Sequence, residues 1–406
     1  MTAGAVPRRM RATVGYDDAL VARLAHAETL AGGDAVRSPA HAPTLAADAP
    51  TPTKEGMGRA SVASGDAAAT AGEAAEFRYQ PVRRLGEGGM GEVVLALDVD
   101  IGREVAIKRP HRDASRAAAL LLSEVRTLGK LDHPNIVTVY DVDRDETGLP
   151  YYTMKFHRGE SAGDVLERLR ALEPEAVRRY TFSRRLDIFA GVLRALAHAH
   201  AQGVVHRDVK PDNVLVGAEG EVTLADWGIA AEADEQADGK VTGIAGTPGY
   251  MSPEQARGEA GALGPRSDLY SAFAMLYELL TLAPLVEPTG TVLEVLQRNQ
   301  EVEAPSIGGA AYGDAPLGPV PAEYRHYLKR GLARDPAHRY PTAEAALLEL
   351  ERVRSGEFAV ECPITFLKRG ERAMNHSIER GGAVPVIVSL VVVLAVIAGV
   401  VYAIVR

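Results

Sequence analysis

The stretch His206-Arg207-Asp208-Val209-Lys210-Pro211-Asp212-Asn213 decides the reading of this chain. It follows a segment in which Leu186, Phe189, Leu193 and Leu196 recur at helical spacing. That pattern stops at Gly203. A loop therefore presents an aspartate, a lysine two residues on and an asparagine five residues on. The set suits phosphoryl transfer. Asp208 supplies a carboxylate to take a hydroxyl proton, Lys210 a cation for the moving phosphate, and Asn213 an amide oxygen for a metal ion.

Upstream lies Leu85-Gly86-Glu87-Gly88-Gly89-Met90-Gly91-Glu92-Val93. Glycines let a backbone turn sharply and bring its N–H groups close to phosphates. A dinucleotide-binding turn has similar spacing, but it opens a helix. Here Val93, Val94 and Leu95 continue as a strand and a second strand follows at 104–108, so the glycines are expected to cap a hairpin. The second strand holds Val105-Ala106-Ile107-Lys108. A lysine on a strand is most often a solvated face residue. One on the strand after a glycine hairpin lies beneath the same phosphates. A helical stripe of Ala118, Leu121, Leu122, Val125 and Leu128 carries Glu124, which could pair with Lys108. His133-Pro134-Asn135-Ile136-Val137 is expected to end this element and start another strand. Downstream, Ala225-Asp226-Trp227-Gly228 follows a strand at Val222–Leu224, and Asp226 is the main candidate ligand for Mg²⁺.

In order, these motifs resemble a eukaryotic-type (Hanks-type) protein kinase catalytic domain of the bacterial Ser/Thr group, over residues 77–354. The resemblance implies an α+β, two-lobed protein kinase fold: a small N-lobe with an antiparallel sheet and helix C, and a larger, mainly helical C-lobe. It implies a Ser/Thr protein kinase, an ATP-dependent phosphotransferase that autophosphorylates and takes protein substrates. Its cofactors would be ATP and Mg²⁺, with Mn²⁺ as a substitute. ATP would be bound by Leu85, Gly86, Glu87, Gly88, Gly89, Met90, Gly91, Glu92, Val93, Ala106, Lys108, Met154 and Leu215. Lys108 would hold the α/β-phosphates, Glu124 would be its helix partner, and Met154 would be the gatekeeper before the hinge. Asp208 would be the catalytic base and Lys210 would contact the γ-phosphate. Asn213 and Asp226 would hold the metal. Gly246-Thr247-Pro248-Gly249-Tyr250-Met251-Ser252-Pro253-Glu254 resembles the end of an activation segment. Thr247 would serve substrate docking and contact Asp208 and Lys210. Glu254 would pair with Arg339, and Asp268 would brace the catalytic loop.

Three positions depart from the family pattern. Trp227, the only tryptophan in the chain, stands where phenylalanine is usual. It would stack with Leu128, Val139 and His206, and its indole N–H needs a partner. Ser252 replaces an alanine, and Lys155 opens the hinge where an acid is common. No catalytic position is lost. The alternative to an active kinase is a pseudokinase that binds nucleotide and acts as a scaffold at the membrane. Arg207 precedes Asp208, and kinases with that arginine usually order the activation loop with an anion. Thr242 is the candidate autophosphorylation site. Glu232, Asp234, Glu235 and Asp238 already make the loop acidic.

Composition bounds the rest. The chain has 406 residues and a net charge of −9, a balance that argues against a nucleic-acid partner. One cysteine, Cys362, excludes an intrachain disulfide. Residues 1–76 are rich in Ala, Pro, Gly, Ser and Thr, with Tyr16 the only aromatic, and read as a disordered arm with a short helical pattern over 17–30. No apolar run follows Arg8, Arg9 and Arg11, so a secretory signal is not expected. Residues 355–382 read as a juxtamembrane segment.

Residues 383–405 carry no charge. As a helix this length spans about 35 Å, enough for one transmembrane crossing. Lys368, Arg369, Arg372 and Arg380 precede it, which puts the kinase domain in the cytoplasm as part of a single-pass membrane protein. Ala395, Gly399 and Ala403 share a helix face that could pair two spans in a homodimer. Two other signals read as structural. Asp141, Asp143 and Asp145 lack the glycine and glutamate of a calcium loop and suit a hairpin between strands. His198, His200 and His206 are divided between a helix and a loop.

Overall fold

The computed structural model describes residues 78–88, 91–111, 115–232 and 246–357, with Thr365 and Lys368. The arm, Gly89, Met90, Thr242, most of 355–382 and the apolar run at 383–405 lie outside the described residues. Among the described residues no helix is long and apolar enough to cross a membrane.

The N-terminal part is an antiparallel sheet of β1 (Tyr79–Gly88), β2 (Gly91–Asp98), β3 (Arg103–Arg109), β4 (Val139–Arg144) and β5 (Pro150–Lys155), in the order β1-β2-β3-β5-β4. Strand alternation gives it two faces. Val105 and Ile107 point to one and join Tyr79, Ala96 and Tyr151 in a small core. Ala106 and Lys108 point to the other. Helix α1 (Ser115–Leu128) packs against β5 and β4. Leu121 and Leu128, on its apolar stripe, are buried in the main core.

His133-Pro134-Asn135-Ile136-Val137 lies between the end of α1 and the start of β4 at Val139, as expected, but is not itself a strand. The segment instead stitches the two lobes together. Leu224 N–H donates to Asn135 O at 2.8 Å, Val137 N–H to Leu224 O at 3.2 Å, and Asn135 Nδ2 to Val222 O at 2.7 Å. Its backbone groups are satisfied by the C-lobe, which the local pattern cannot reveal. Asp141 and Asp143 lie on β4 itself. Asp145 makes the turn, accepting from the backbone of Thr147 and Leu149.

After β5 come β6 (Gly159–Ser161), α2 (Ala162–Arg170), α3 (Pro174–Arg179) and α4 (Phe182–Ala201). Helix α4 buries Leu186, Phe189, Leu193 and Leu196, the four residues of its sequence pattern. Gly203 then turns with φ +73°, a left-handed conformation that favours glycine. Strand β7 (Val204–Val205) leads into the loop that carries Asp208, Lys210 and Asn213. β8 (Val214–Gly217) and β9 (Val222–Leu224) form a small sheet with β6, and β10 (Ala231–Glu232) pairs with β7.

The remaining helices are α5 (Pro253–Ala256), α6 (Pro265–Thr281), α7 (Val292–Glu301), α8 (Ala310–Gly313), α9 (Ala322–Gly331) and α10 (Ala343–Ser355). Helix α6 is buried from Ser267 to Thr281. A helix buried all round is the centre of a lobe, not its surface. It packs on α4 and α9, with Phe189 and Phe273 edge to face at 5.2 Å.

Candidate active site

The site lies where the second face of the sheet meets β8, β9 and the loop after β7. The register of the ladders sets its upper side. Val93 and Tyr152 lie directly across from Lys108, and Leu95 and Met154 across from Ala106. Cross-strand partners project to one face, so Val93, Ala106, Lys108, Tyr152 and Met154 share it. The glycine hairpin closes as expected, with Gly88 opposite Gly91. Gly91 has φ +152°, and a Cβ there would meet the Arg109 carbonyl oxygen at 2.1 Å, so only glycine lets β2 start this close to β3. Leu85 is half-buried, Gly86 buried and Glu87 exposed; Leu215, on β8 of the other lobe, is half-buried. Glu92 accepts from Arg109 Nε at 2.7 Å.

Lys108 is held by both lobes. Its Nζ lies 2.8 Å and 2.9 Å from the two oxygens of Glu124 on α1, and 2.9 Å from Asp226 Oδ1 after β9. Burial works against its charge, but Asp226 and Glu124 hold Lys108 well above the ordinary lysine value. It is therefore an ammonium ion. The same attraction holds Asp226 below the ordinary carboxylate value despite burial. Glu124 is more deeply buried, and burial leaves it raised even against Lys108. Tyr152 Oη also donates to Glu124 Oε1, at 3.0 Å.

The loop that carries Asp208 is fixed from behind. Asp268 on α6 accepts from the backbone N–H of His206 at 2.8 Å and of Arg207 at 2.7 Å, and it bonds His200 Nε2 at 2.8 Å. His206 donates from Nε2 to Ala225 O at 3.1 Å and accepts at Nδ1 from Asp208 N–H at 3.2 Å. This ties the Asp208 and Asp226 segments together. Arg207 and Asp226 both have left-handed backbone, φ +72° and +60°. Such positions cost about 1–3 kcal/mol each and persist only where neighbours fix them. Here the Asp268 and His206 bonds supply that constraint.

The Asp208 carboxylate is aimed by three groups. Thr247 N–H donates to Oδ1 at 2.7 Å, Lys210 Nζ lies 3.1 Å from Oδ2, and Asn213 Nδ2 donates to Oδ2 at 3.3 Å and to the Asp208 backbone carbonyl at 2.8 Å. Lys210 also donates to Thr247 Oγ1 at 2.7 Å. Thr247 thus touches both residues it was expected to touch. Gln255 Nε2 donates to Arg207 O at 2.6 Å and joins α5 to the loop. Sequence reasoning missed this residue. The Ser252-x-x-Gln255 capping box at the start of α5 was the available signal.

Beneath α5, Glu254 and Arg339 pair through two bonds of 2.7 Å and 2.8 Å. Ser267 Oγ donates to the same carboxylate at 2.8 Å. Trp227 is buried, with its ring centroid 4.5 Å from that of His206, and its indole N–H donates to Leu224 O at 3.2 Å. Leu128 lies in the same buried cluster and Val139 packs against it. The indole's need for a partner is met without drawing on Asp226. His198 stacks on His133 at 5.1 Å, which gives it a place apart from His200 and His206.

The residues fit a nucleotide and a divalent cation. Asp226 and the amide oxygen of Asn213 are hard oxygen donors of the kind Mg²⁺ takes. Asn213 spends its Nδ2 on Asp208, which turns the amide oxygen to other partners. Lys108 and Lys210 supply the cations that phosphates require.

The comparisons with known proteins agree with this geometry. The protein kinase domain family matches residues 79–349. The chain is 35% identical over 289 residues to a probable serine/threonine-protein kinase of Streptomyces coelicolor, covering 69% of this chain and 40% of that protein. It is 34% identical over 279 residues to the probable serine/threonine-protein kinase PknB of Bifidobacterium longum, covering 66% and 38%. It is 33% identical over 288 residues to the serine/threonine-protein kinase PknB of Mycobacterium tuberculosis, covering 69% and 43%. The chain spans about two fifths of the length of these relatives. With the match covering two thirds of its 406 residues, this chain belongs to the protein kinase domain family.

Proposed function

We propose that the chain is a serine/threonine protein kinase, transferring the γ-phosphoryl group of ATP to Ser or Thr hydroxyls of proteins, its own included. The observation that carries this reading is Lys108, shared between Glu124 at 2.8 Å and Asp226 at 2.9 Å. Two carboxylates from separate lobes aim one cation into the cleft. The names of the bacterial relatives support the Ser/Thr class, as does Lys210 two residues after Asp208.

In this reading Lys108 binds the α/β-phosphates, with the glycine hairpin over them and Ala106, Met154 and Leu215 lining the base pocket. Asp208 takes the proton of the acceptor hydroxyl at its carboxylate, oriented by Thr247 N–H and Asn213. Lys210 holds the γ-phosphoryl oxygens. Asp226 and Asn213 hold the divalent cation, Mg²⁺ or Mn²⁺, which when bound neutralises phosphate charge. Catalysis is positioning and charge stabilisation, with no covalent intermediate on the catalytic residues.

The reading extends beyond the described residues. The uncharged run at 383–405 and the basic residues before it support a single membrane span with the kinase domain, 77–354, in the cytoplasm. Residues 1–76 are then an arm and 355–382 the juxtamembrane link. The face of Ala395, Gly399 and Ala403 supports a homodimer through the span. Arg207 beside Asp208 supports Thr242 as the autophosphorylation site. Thr242→Ala should then lower initial rates severalfold, and unchanged rates would remove that assignment. An acidic balance gives no support to a nucleic-acid partner.

The test is the full chain in detergent with Mg²⁺ and labelled ATP, beside Asp208→Asn. Label on Ser or Thr in the unaltered chain and none in the control would support the kinase. No label in either, with nucleotide binding retained, would replace it by a nucleotide-binding scaffold.

A further inference from the structure

The mechanism above makes no use of Tyr152, yet its placement is specific. It lies on β5 directly across the ladder from Lys108. It is 1% exposed and belongs to the same buried cluster as Leu121 and Leu128 of α1. Its Oη is 3.0 Å from Glu124 Oε1, the oxygen that also lies 2.8 Å from Lys108 Nζ. The phenol is the donor and the carboxylate oxygen the acceptor. Burial and then the charge of Glu124 push the Tyr152 phenol well above its ordinary value, so the donated proton stays on it.

Lys108 cannot fix Glu124 unaided. It is a point charge on a flexible four-carbon stem, and it is shared with Asp226 at 2.9 Å. A tyrosine ring has two rotatable side-chain angles, and burial locks both. The donor from β5 is therefore the rigid partner, and Lys108 is the mobile one. It follows that the strand locates the carboxylate and the carboxylate locates the lysine.

We infer that Tyr152 is a positioning residue: its hydroxyl pins the Glu124 carboxylate, and α1 with it, where Glu124 holds Lys108 toward the nucleotide phosphates. Its effect on ATP rests on the kinase reading. Its effect on α1 rests on geometry alone.

The test uses the full chain and Tyr152→Phe, with hydrogen exchange and initial autophosphorylation rates over a range of ATP concentrations. Loss of a hydrogen bond to a charged group should speed exchange across α1 by about tenfold, with α6 protected as before. The KM for ATP should rise by roughly threefold to tenfold. A merely structural loss would lower the maximal rate and leave that KM alone. Tyr152→Met, which also removes the donor, should move α1 and KM the same way. In a Glu124→Ala background, adding Tyr152→Phe should change α1 exchange no further. The inference is overturned if α1 exchange and KM match the unaltered chain, or if Tyr152→Phe speeds α1 equally without Glu124. If the unaltered chain transfers no phosphate, the kinase reading fails while the exchange arm still decides the role of Tyr152.

Discussion

The Lys108–Glu124 pair in the cleft and the Arg339–Glu254 pair in the C-lobe both join a cation to a buried carboxylate, at 2.8 Å and 2.7 Å. Their surroundings differ. Arg339 is fully buried. It makes two bonds to Glu254 and donates to the carbonyls of Ala333, Arg266 and Arg334 at 2.7 Å, 2.9 Å and 3.0 Å. Its planar fork is spent on fixed partners. Lys108 keeps 14% of its side chain exposed toward the cleft and divides one ammonium group between two carboxylates. The first pair can only hold elements together. The second can hold them and still offer charge to a ligand.

Substitutions test that contrast directly. The largest expected effect is on rate: Lys108→Met should cut phosphate transfer by about 10²–10³-fold, read from initial rates. Its stability cost in urea should be smaller than that of Arg339→Met, because Asp226 is part-exposed and Tyr152 still donates to Glu124. Equal costs would break the comparison. Arg339→Met should destabilise the chain by about 3–5 kcal/mol, since Glu254 is left charged and buried without its partner. Adding Glu254→Leu should restore most of that loss in the same urea measurement.

A smaller effect comes with pH. Burial alone would raise Glu254 and Asp268. Arg339 and Ser267 on the first, and His200, His206 and a backbone N–H on the second, bring both below their ordinary values of 4.5 and 3.8. The unfolded chain therefore binds more protons than the folded one in the acid range. The stability from these groups is complete above about pH 4.5 and is lost as pH falls through the depressed folded values. Urea midpoints measured from pH 6 downward should show that decline. It should be shallower in the Arg339→Met, Glu254→Leu double variant. The smallest effect concerns Trp227. Trp227→Phe removes a buried ring and should cost about 1–2 kcal/mol, checked by thermal melting. Initial rates should stay unchanged, because the indole N–H bonds Leu224 O and not Asp226.

Much of the site was legible because its chemistry is local in the chain. Asp208, Lys210 and Asn213 lie within six residues, and the turn Pro211–Asn213 holds them in one loop. The hairpin glycines and the strand Val222–Leu224 were readable for the same reason. Glu254 with Arg339, 85 residues apart, was readable only through family resemblance. The segment from His133 to Val137 was legible as the link from α1 to the next strand, but its bonds to β9, almost ninety residues away, were not. Tyr152 gave no signal at all. In Pro150-Tyr151-Tyr152-Thr153-Met154 it looks like any strand aromatic.

The sequence by itself determined which groups carry the chemistry and the order in which loops and strands present them, since spacing and turn residues act over a few positions. The tertiary structure alone decided where those groups point. Lys108 meets Asp226 across 118 residues, and Tyr152 meets Glu124 across 28. Those distances are set by ladder register and by how α1 and β9 pack on the sheet. A buried donor takes whichever acceptor the packing brings within about 3 Å, and packing is a property of the whole core.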